Sequence, residues 1–428
     1  MRRFLHLIVG LSIVSIAFAV FHARIVHGKS AAFASAKASP SPNPACVFPT
    51  TPAASMEETA WQLFVAANCP SNGNKVVWEN WAEQLQVYPQ GSPGIGTLSV
   101  DVQQTKRLHG SPLARLRAQQ LHLAAPFLFA PSGPCPAMQG PPPNVVNGAT
   151  VCEETRLNPE AQSFVATNGY QLRPGQTAAA QKGTDIEFPT PAIEVKVDWI
   201  PATDFSPQFS CAQPPTGVHV ESIDGVCYAM VGIHISSKLL KNWIWATFEP
   251  QSMLTNPLRC ITFGACNDSW GSNPATSAGG ANGFTQRSQA LSSLMKRANL
   301  APEFLNYRLD GVQIDFKNPD GSPTYLGNSV IEGENVGLTA KQASCITCHS
   351  VSSVKNDGLD GGFALIPANK LTNGTPVGAE YQVPAGWIAR DFVWSMGIAC
   401  PDPTGAGVRP PDSPCNSTVQ PAKSEKKK

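Results

Sequence analysis

The chain has 428 residues, a formal net charge of +1 and only 14% charged side chains. A balance this close to neutral argues against nucleic acid as a partner. With 39 prolines and 35 glycines, much of the chain is expected to form turns and irregular loops.

Met1-Arg2-Arg3 precedes an apolar run over residues 4–21 and then small Ala and Ser residues. That is the layout of a secretory signal peptide, assigned here to residues 1–28 and followed by an Ala/Ser/Pro linker over 29–45. An uncleaved membrane anchor is the alternative, because the run approaches the roughly 20 apolar residues that span a bilayer. Either way, the bulk of the chain is expected in the periplasm or otherwise exported.

Twelve cysteines agree with an oxidising compartment. Cys345 and Cys348 stand apart in a C-x-x-C spacing. The other ten fall into sequence neighbours that close short Pro-, Gly- or Ser-rich loops: Cys46 with Cys69, Cys135 with Cys152, Cys211 with Cys227, Cys260 with Cys266, and Cys400 with Cys415. Nearest-neighbour disulfides are the expectation. Zinc is the rival use for so many cysteines, but only Cys345 and Cys348 have the two-to-four-residue ligand spacing.

Residues 46–325 are expected to form a large β-rich domain. It opens on residues 57–87, where Trp61, Phe64 and Val65 have helical spacing ahead of a Cys69-Pro70 turn and a second short helix. Residues 91–184 are weakly patterned and read mainly as loops, with a helical stretch over 113–123. From Ala192 to Trp199 the chain alternates strictly, with Ile193, Val195 and Val197 on one face and Glu194, Lys196 and Asp198 on the other. Apolar runs on both sides of Asp224-Gly225 predict a tight hairpin. Residues 243–249 and 312–316 continue the two-residue period, the latter entering a turn at 318–321. Together these predict an antiparallel sheet or sandwich with long disulfide-pinned loops. Residues 271–282 read as a Gly/Ser/Asn loop. Residues 287–300 read as a helix with Leu291, Leu294, Met295 and Ala298 on one side.

From residue 326 to 400 the sequence changes to a small helical segment, followed by a Pro-rich and basic tail over 401–428. Within it, Cys345-Ile346-Thr347-Cys348-His349 matches C-x-x-C-H, the attachment sequence of a c-type haem. Two thiols three residues apart on a helical turn can each form a thioether to a haem vinyl group, while the adjacent imidazole points at the iron. Cys345 and Cys348 are therefore the expected covalent attachment points of one haem c per chain, and His349 the proximal iron ligand. Residues 338–344 are expected to form a short lead-in helix with Thr339 as its N-cap. An ordinary disulfide or a thioredoxin-like dithiol is the competing reading; the first gives His349 no role, and the second belongs near a βαβ pattern that is absent.

This segment resembles the c-type cytochromes, and the longer chain is similar to uncharacterised bacterial exported mono-haem proteins of the cytochrome c family. The stretches that carry the wider likeness are Trp61-Gln62-Leu63-Phe64-Val65-Ala66, Ile193-Glu194-Val195-Lys196, Gly232-Ile233-His234-Ile235, Trp243-Ile244-Trp245-Ala246-Thr247-Phe248-Glu249 and Leu326-Gly327-Asn328-Ser329-Val330-Ile331-Glu332. With the predicted strands this gives an α+β chain, a large antiparallel β-rich domain followed by a small helical cytochrome c-like haem segment; the resemblance brings no settled activity.

Met396 is the candidate distal ligand, since a Met in that position is common in electron carriers. Residues 386–396 read as a closing helix, with Trp387, Phe392 and Trp394 for packing, so Met396 could equally be core. His234 is the main competitor. Glu194, Lys196, Glu249 and Glu332 are read as a solvent-facing sheet surface or structural ion pairs; the sharper alternative is a proton-transferring site beside the haem. Trp243 and Trp245 are read as packing. The leading functional expectation is electron transfer with redox partner proteins. The alternatives are a haem-dependent oxidoreductase of peroxidase or oxygenase type, with an open distal site under the β-rich domain, and a docking or sensor module that uses haem as cargo or reporter.

Overall fold

Alternation builds the sheet. Ile193, Val195 and Val197 lie buried on one face of the strand Ile193–Pro201 (β3). In the computed structural model, which describes residues 43–72, 75–88, 135, 144–251, 268–273, 286–328, 343–359 and 378–399, that strand is central to a seven-stranded sheet. The other members are Ala82–Glu83 (β1), Cys152–Leu157 (β2), Val220–Ile223 (β4), Val226–Ser237 (β5), Ile244–Pro250 (β6) and Tyr307–Gln313 (β9). Their order is β1-β2-β3-β5-β6-β9, with β4 paired to β5, and every pairing is antiparallel. A two-stranded ribbon, Ser272–Asn273 (β7) with Gln286–Arg287 (β8), lies outside this sheet.

The Asp224-Gly225 hairpin forms as expected: Ile223 pairs with Val226, and both turn residues take positive φ, 52° and 80°. Such a turn matches the twist of the strands it joins. The helix Met56–Ala67 (α1) starts where Ser55 accepts the Glu58 N–H and ends at Asn68. Its Trp61, Phe64 and Val65 are buried against Val195, Val197, Met230 and Phe248. Ahead of β1 lies the 3-10 turn Trp78–Asn80, and beyond it the short helix Gln84–Val87 (α2). The expected disulfides Cys46–Cys69, Cys135–Cys152 and Cys211–Cys227 are all present. Three such bonds accord with an exported protein. Among the described residues no helix is long and apolar enough to cross a membrane. The proposed signal peptide, Cys260, Cys266, Cys400, Cys415, Glu332, the stretch 113–123 and the lead-in helix 338–344 with Thr339 lie wholly or mainly outside the described residues.

Two expectations need correction. Residues 144–184 are not mainly loop: they hold β2 and the helices Pro159–Thr167 (α3) and Arg173–Gln181 (α4). β2 escapes a periodicity reading because all six of its residues are buried, and its charges are satisfied internally. Arg156 grips Glu154 and donates 2.6 Å to the Trp81 carbonyl. The second correction concerns the charged face of β3, which is covered rather than solvent-facing, while the expected alternative of structural ion pairs holds for Lys196 and Glu249. Glu194 and Asp198 are buried, and Lys196 is half-buried in an ion pair with Glu153 at 2.9 Å. Glu249 is likewise buried, paired with Arg308, which also meets Asp310.

The cover on that face is the second apolar cluster. It joins Leu157, Ala161, Val165, Ala179 and Ala180 to Trp245, Leu326, Ile346, Ile388 and Met396. The helix Gln289–Ala298 (α5) packs on the opposite face, with Leu291, Leu294, Met295 and Ala298 buried as its spacing predicts.

One buried carboxyl, Glu83, ties stability to pH. Burial pushes the Glu83 carboxyl up from 4.5 to about 8, with Glu154 adding to the rise and the Leu85 N–H and Arg156 opposing it. Native Glu83 thus keeps a proton that the unfolded chain gives up, so its contribution is full below about 4.5 and is lost as pH rises through about 8. Glu83→Gln should therefore lose less stability than wild type between pH 5 and pH 8 in urea unfolding. Parallel pH profiles for the two proteins would remove this assignment.

Candidate haem-binding site

Cys345–His349 forms a short helix (α6) capped by Ser344, whose hydroxyl oxygen accepts the Thr347 N–H. One turn of helix brings positions i and i+3 onto one side, so the Cys345 and Cys348 thiols share a face. Both are half-buried. The Cys345 thiol points to the Leu326 carbonyl at 3.6 Å.

The sheet holds this helix from below. Gln313, the last residue of β9, accepts the Ile346 N–H through Oε1 at 2.9 Å and donates through Nε2 to the Ser344 hydroxyl at 2.8 Å. Trp245 of β6, the cross-strand partner of Gln313, places its indole 4.5 Å from the His349 ring, centroid to centroid.

A second segment closes over α6. Ser353–Lys355 (β10) pairs with Trp387–Ala389 (β11), and the chain then turns back along the helix. The predicted closing helix over 386–396 is not what forms. Three of its residues join β11, Asp391 and Phe392 take positive φ of 49° and 67°, and only Trp394–Ile398 winds into a 3-10 turn. A helix cannot pass through two left-handed residues. Three hydrogen bonds zip the result to the motif: His349 Nδ1 to the Phe392 carbonyl at 2.8 Å, the Trp394 indole N–H to the Cys348 carbonyl at 3.2 Å, and the Ser352 hydroxyl to the Val393 carbonyl at 2.8 Å.

The bond to Phe392 fixes the chemistry of His349. A carbonyl only accepts, so Nδ1 carries the hydrogen and Nε2 is the nitrogen left for a metal. Burial pushes the imidazole down to about 4, with the Phe392 carbonyl opposing. The neutral form, the one that ligates metals, therefore holds at neutral pH.

That carbonyl is aimed by strained backbone, since a bulky Phe at positive φ is unfavourable by about 1–3 kcal/mol. Asp391 anchors the turn. Its carboxylate accepts the Phe188 N–H at 2.8 Å and the Lys238 ammonium at 2.6 Å, both buried. Breaking such a pair leaves an uncompensated buried charge.

Met396 lies in the closing 3-10 turn, fully buried in the second apolar cluster, and its carbonyl accepts from Gln176 Nε2 at 3.0 Å. His234 faces Lys196 and Thr247 across the strands. Beside the closing turn, the Ser395 hydroxyl donates to Glu194 at 2.6 Å. Burial pushes the Glu194 carboxyl up to about 7, and it raises the Tyr88 phenol, with Glu194 adding to that rise.

Cys345, Cys348 and His349 are thus brought together, half-buried, with the Nδ1 of the imidazole engaged by the Phe392 carbonyl. Gln313 and the Phe392 carbonyl could not be found from sequence, because neither a glutamine at a strand end nor a backbone carbonyl leaves a motif. Replacing Gln313 by Ala leaves the buried Ile346 N–H without its acceptor. The expected cost is about 1–3 kcal/mol in chemical denaturation; a variant as stable as wild type would show that Gln313 does not seat the helix. Comparison with protein-family models, with curated proteins and with solved structures gave no match.

Proposed function

We propose that this chain is an exported mono-haem c-type cytochrome that transfers electrons between redox partner proteins. The observation that carries the reading is the His349 Nδ1 bond to the Phe392 carbonyl within a C-x-x-C-H helix. It leaves Nε2 for iron, beside two thiols on one helical face. The donor set fits a haem: Cys345 and Cys348 for the thioethers and His349 as proximal ligand. Bound haem would supply one-electron chemistry, its iron cycling between ferrous and ferric states. The protein's part is to hold the ring in place. Trp245 packs the imidazole, the Lys238–Asp391 pair fixes the carbonyl that orients it, and the apolar cluster around Ile346 supports the helix that would carry the haem.

Met396 is the candidate distal ligand of this reading. Its complete burial among apolar side chains favours a second reading, a haem-dependent oxidoreductase in which no side chain closes the distal position and the Glu194–Ser395 pair serves proton transfer.

Absorption spectra of the purified reduced protein with and without carbon monoxide separate the two. Electron transfer predicts a low-spin spectrum indifferent to carbon monoxide and, with Met396 bound, a near-infrared band in the ferric protein that Met396→Ala abolishes. Rapid carbon monoxide binding would overturn the carrier reading in favour of the oxidoreductase, and a band unchanged in Met396→Ala would remove Met396 as ligand.

A further inference from the structure

On the opposite face of the sheet, a second group of donors converges from distant parts of the chain. Glu79 lies in the 3-10 turn Trp78–Asn80, His219 precedes β4, and Glu221 is on β4. One donor atom from each lies within 4.8 Å of the other two. Glu79 and His219 are buried, whereas Glu221 is half-buried and opens the group to solvent.

We propose that Glu79, His219 and Glu221 bind a divalent first-row transition metal, with Zn2+ as the simplest occupant. One imidazole nitrogen and two carboxylate oxygens form the mixed N/O set that such ions take, and three protein ligands leave a coordination position for water. Donors around a zinc ion sit about 3–3.5 Å apart for bonds near 2.1 Å, so the group needs to contract by about 1 Å. The closest pair, His219 Nε2 and Glu79 Oε1, is already at 3.0 Å.

The imidazole is held in one orientation. It stacks on Phe304 with centroids 4.7 Å apart and planes at 29°, and it lies 5.9 Å from Trp199. Behind its other nitrogen, Glu303 stands 4.0 Å from Nδ1. A divalent cation would balance the two ligating carboxylates, as buried charge requires. The ion would tie the Trp78–Asn80 turn to the start of β4. This site is independent of the haem: its donors share no residue with α6 or the segment that closes over it.

The test is calorimetric titration of Zn2+ into chelator-treated full-length protein, paired with thermal unfolding. We expect one equivalent bound and a melting temperature that rises with zinc concentration, as ligand linkage demands. His219→Gln and Glu221→Ala should each lose both effects, and Cys345→Ala/Cys348→Ala should bind like wild type. Glu221→Ala is the decisive variant if His219→Gln does not fold, since Glu221 is on a half-exposed strand. No uptake by wild type, uptake undiminished in Glu221→Ala, or uptake lost with the two cysteines would overturn the proposal, and the first outcome would leave His219–Glu79 as an ordinary hydrogen-bonded pair.

Discussion

Everything around the candidate haem site depends on strand register. Leu157, Glu194, Ser236, Trp245 and Gln313 are successive cross-strand partners through β2, β3, β5, β6 and β9. This one row carries the indole against His349, the amide that seats α6 and the carboxylate that meets Ser395. Because side chains alternate between faces, a slip of one residue in any of these pairings would move part of the row to the other side of the sheet. The α1 and α5 face guards against the slip: Val195, Ile235 and Ala246, neighbours along the same strands, are locked into its apolar cluster. One sheet thus uses its aliphatic face for stability and its mixed face for the site.

The mixed face shows how polar groups are kept inside. Glu194, Asp198 and Lys196 are tolerated because a second layer, α3, α4 and the segments around α6, covers them and supplies partners such as Ser395. The Lys238–Asp391 pair belongs to the same layer and holds two left-handed residues in place. Strain sustained at one turn, in a carbonyl that meets a single imidazole, is the pattern expected where orientation matters more than stability.

Much of the sheet was legible in the sequence, since the alternation in β3, the Asp224-Gly225 turn and the stripe on α5 are local signals that the tertiary structure reinforces. The three neighbouring disulfides among the described residues were legible for the same reason. Alternation could identify Glu194 and Lys196 as a separate face but could not say what covers it. Residues 386–396 misled because their aromatic content suits a helix, whereas pairing with β10 and two positive φ angles are decided by contacts more than thirty residues away. Of the site, Cys345, Cys348 and His349 were visible as a motif; their supports, Gln313, Trp245 and the Phe392 carbonyl, come from elsewhere in the chain. The Glu79–His219–Glu221 group had no sequence signal at all, because a separation of 140 residues between its first two members carries no pattern.

The proposal rests on Cys345 and Cys348 carrying a haem whose iron is held by His349. It is tested most directly by intact mass and the pyridine haemochrome spectrum of protein produced together with a cytochrome c maturation system. One covalently attached haem per chain with both vinyl groups saturated is expected, and none in Cys345→Ala/Cys348→Ala. Unmodified wild-type protein, or a covalent haem that persists in the double variant, would contradict it.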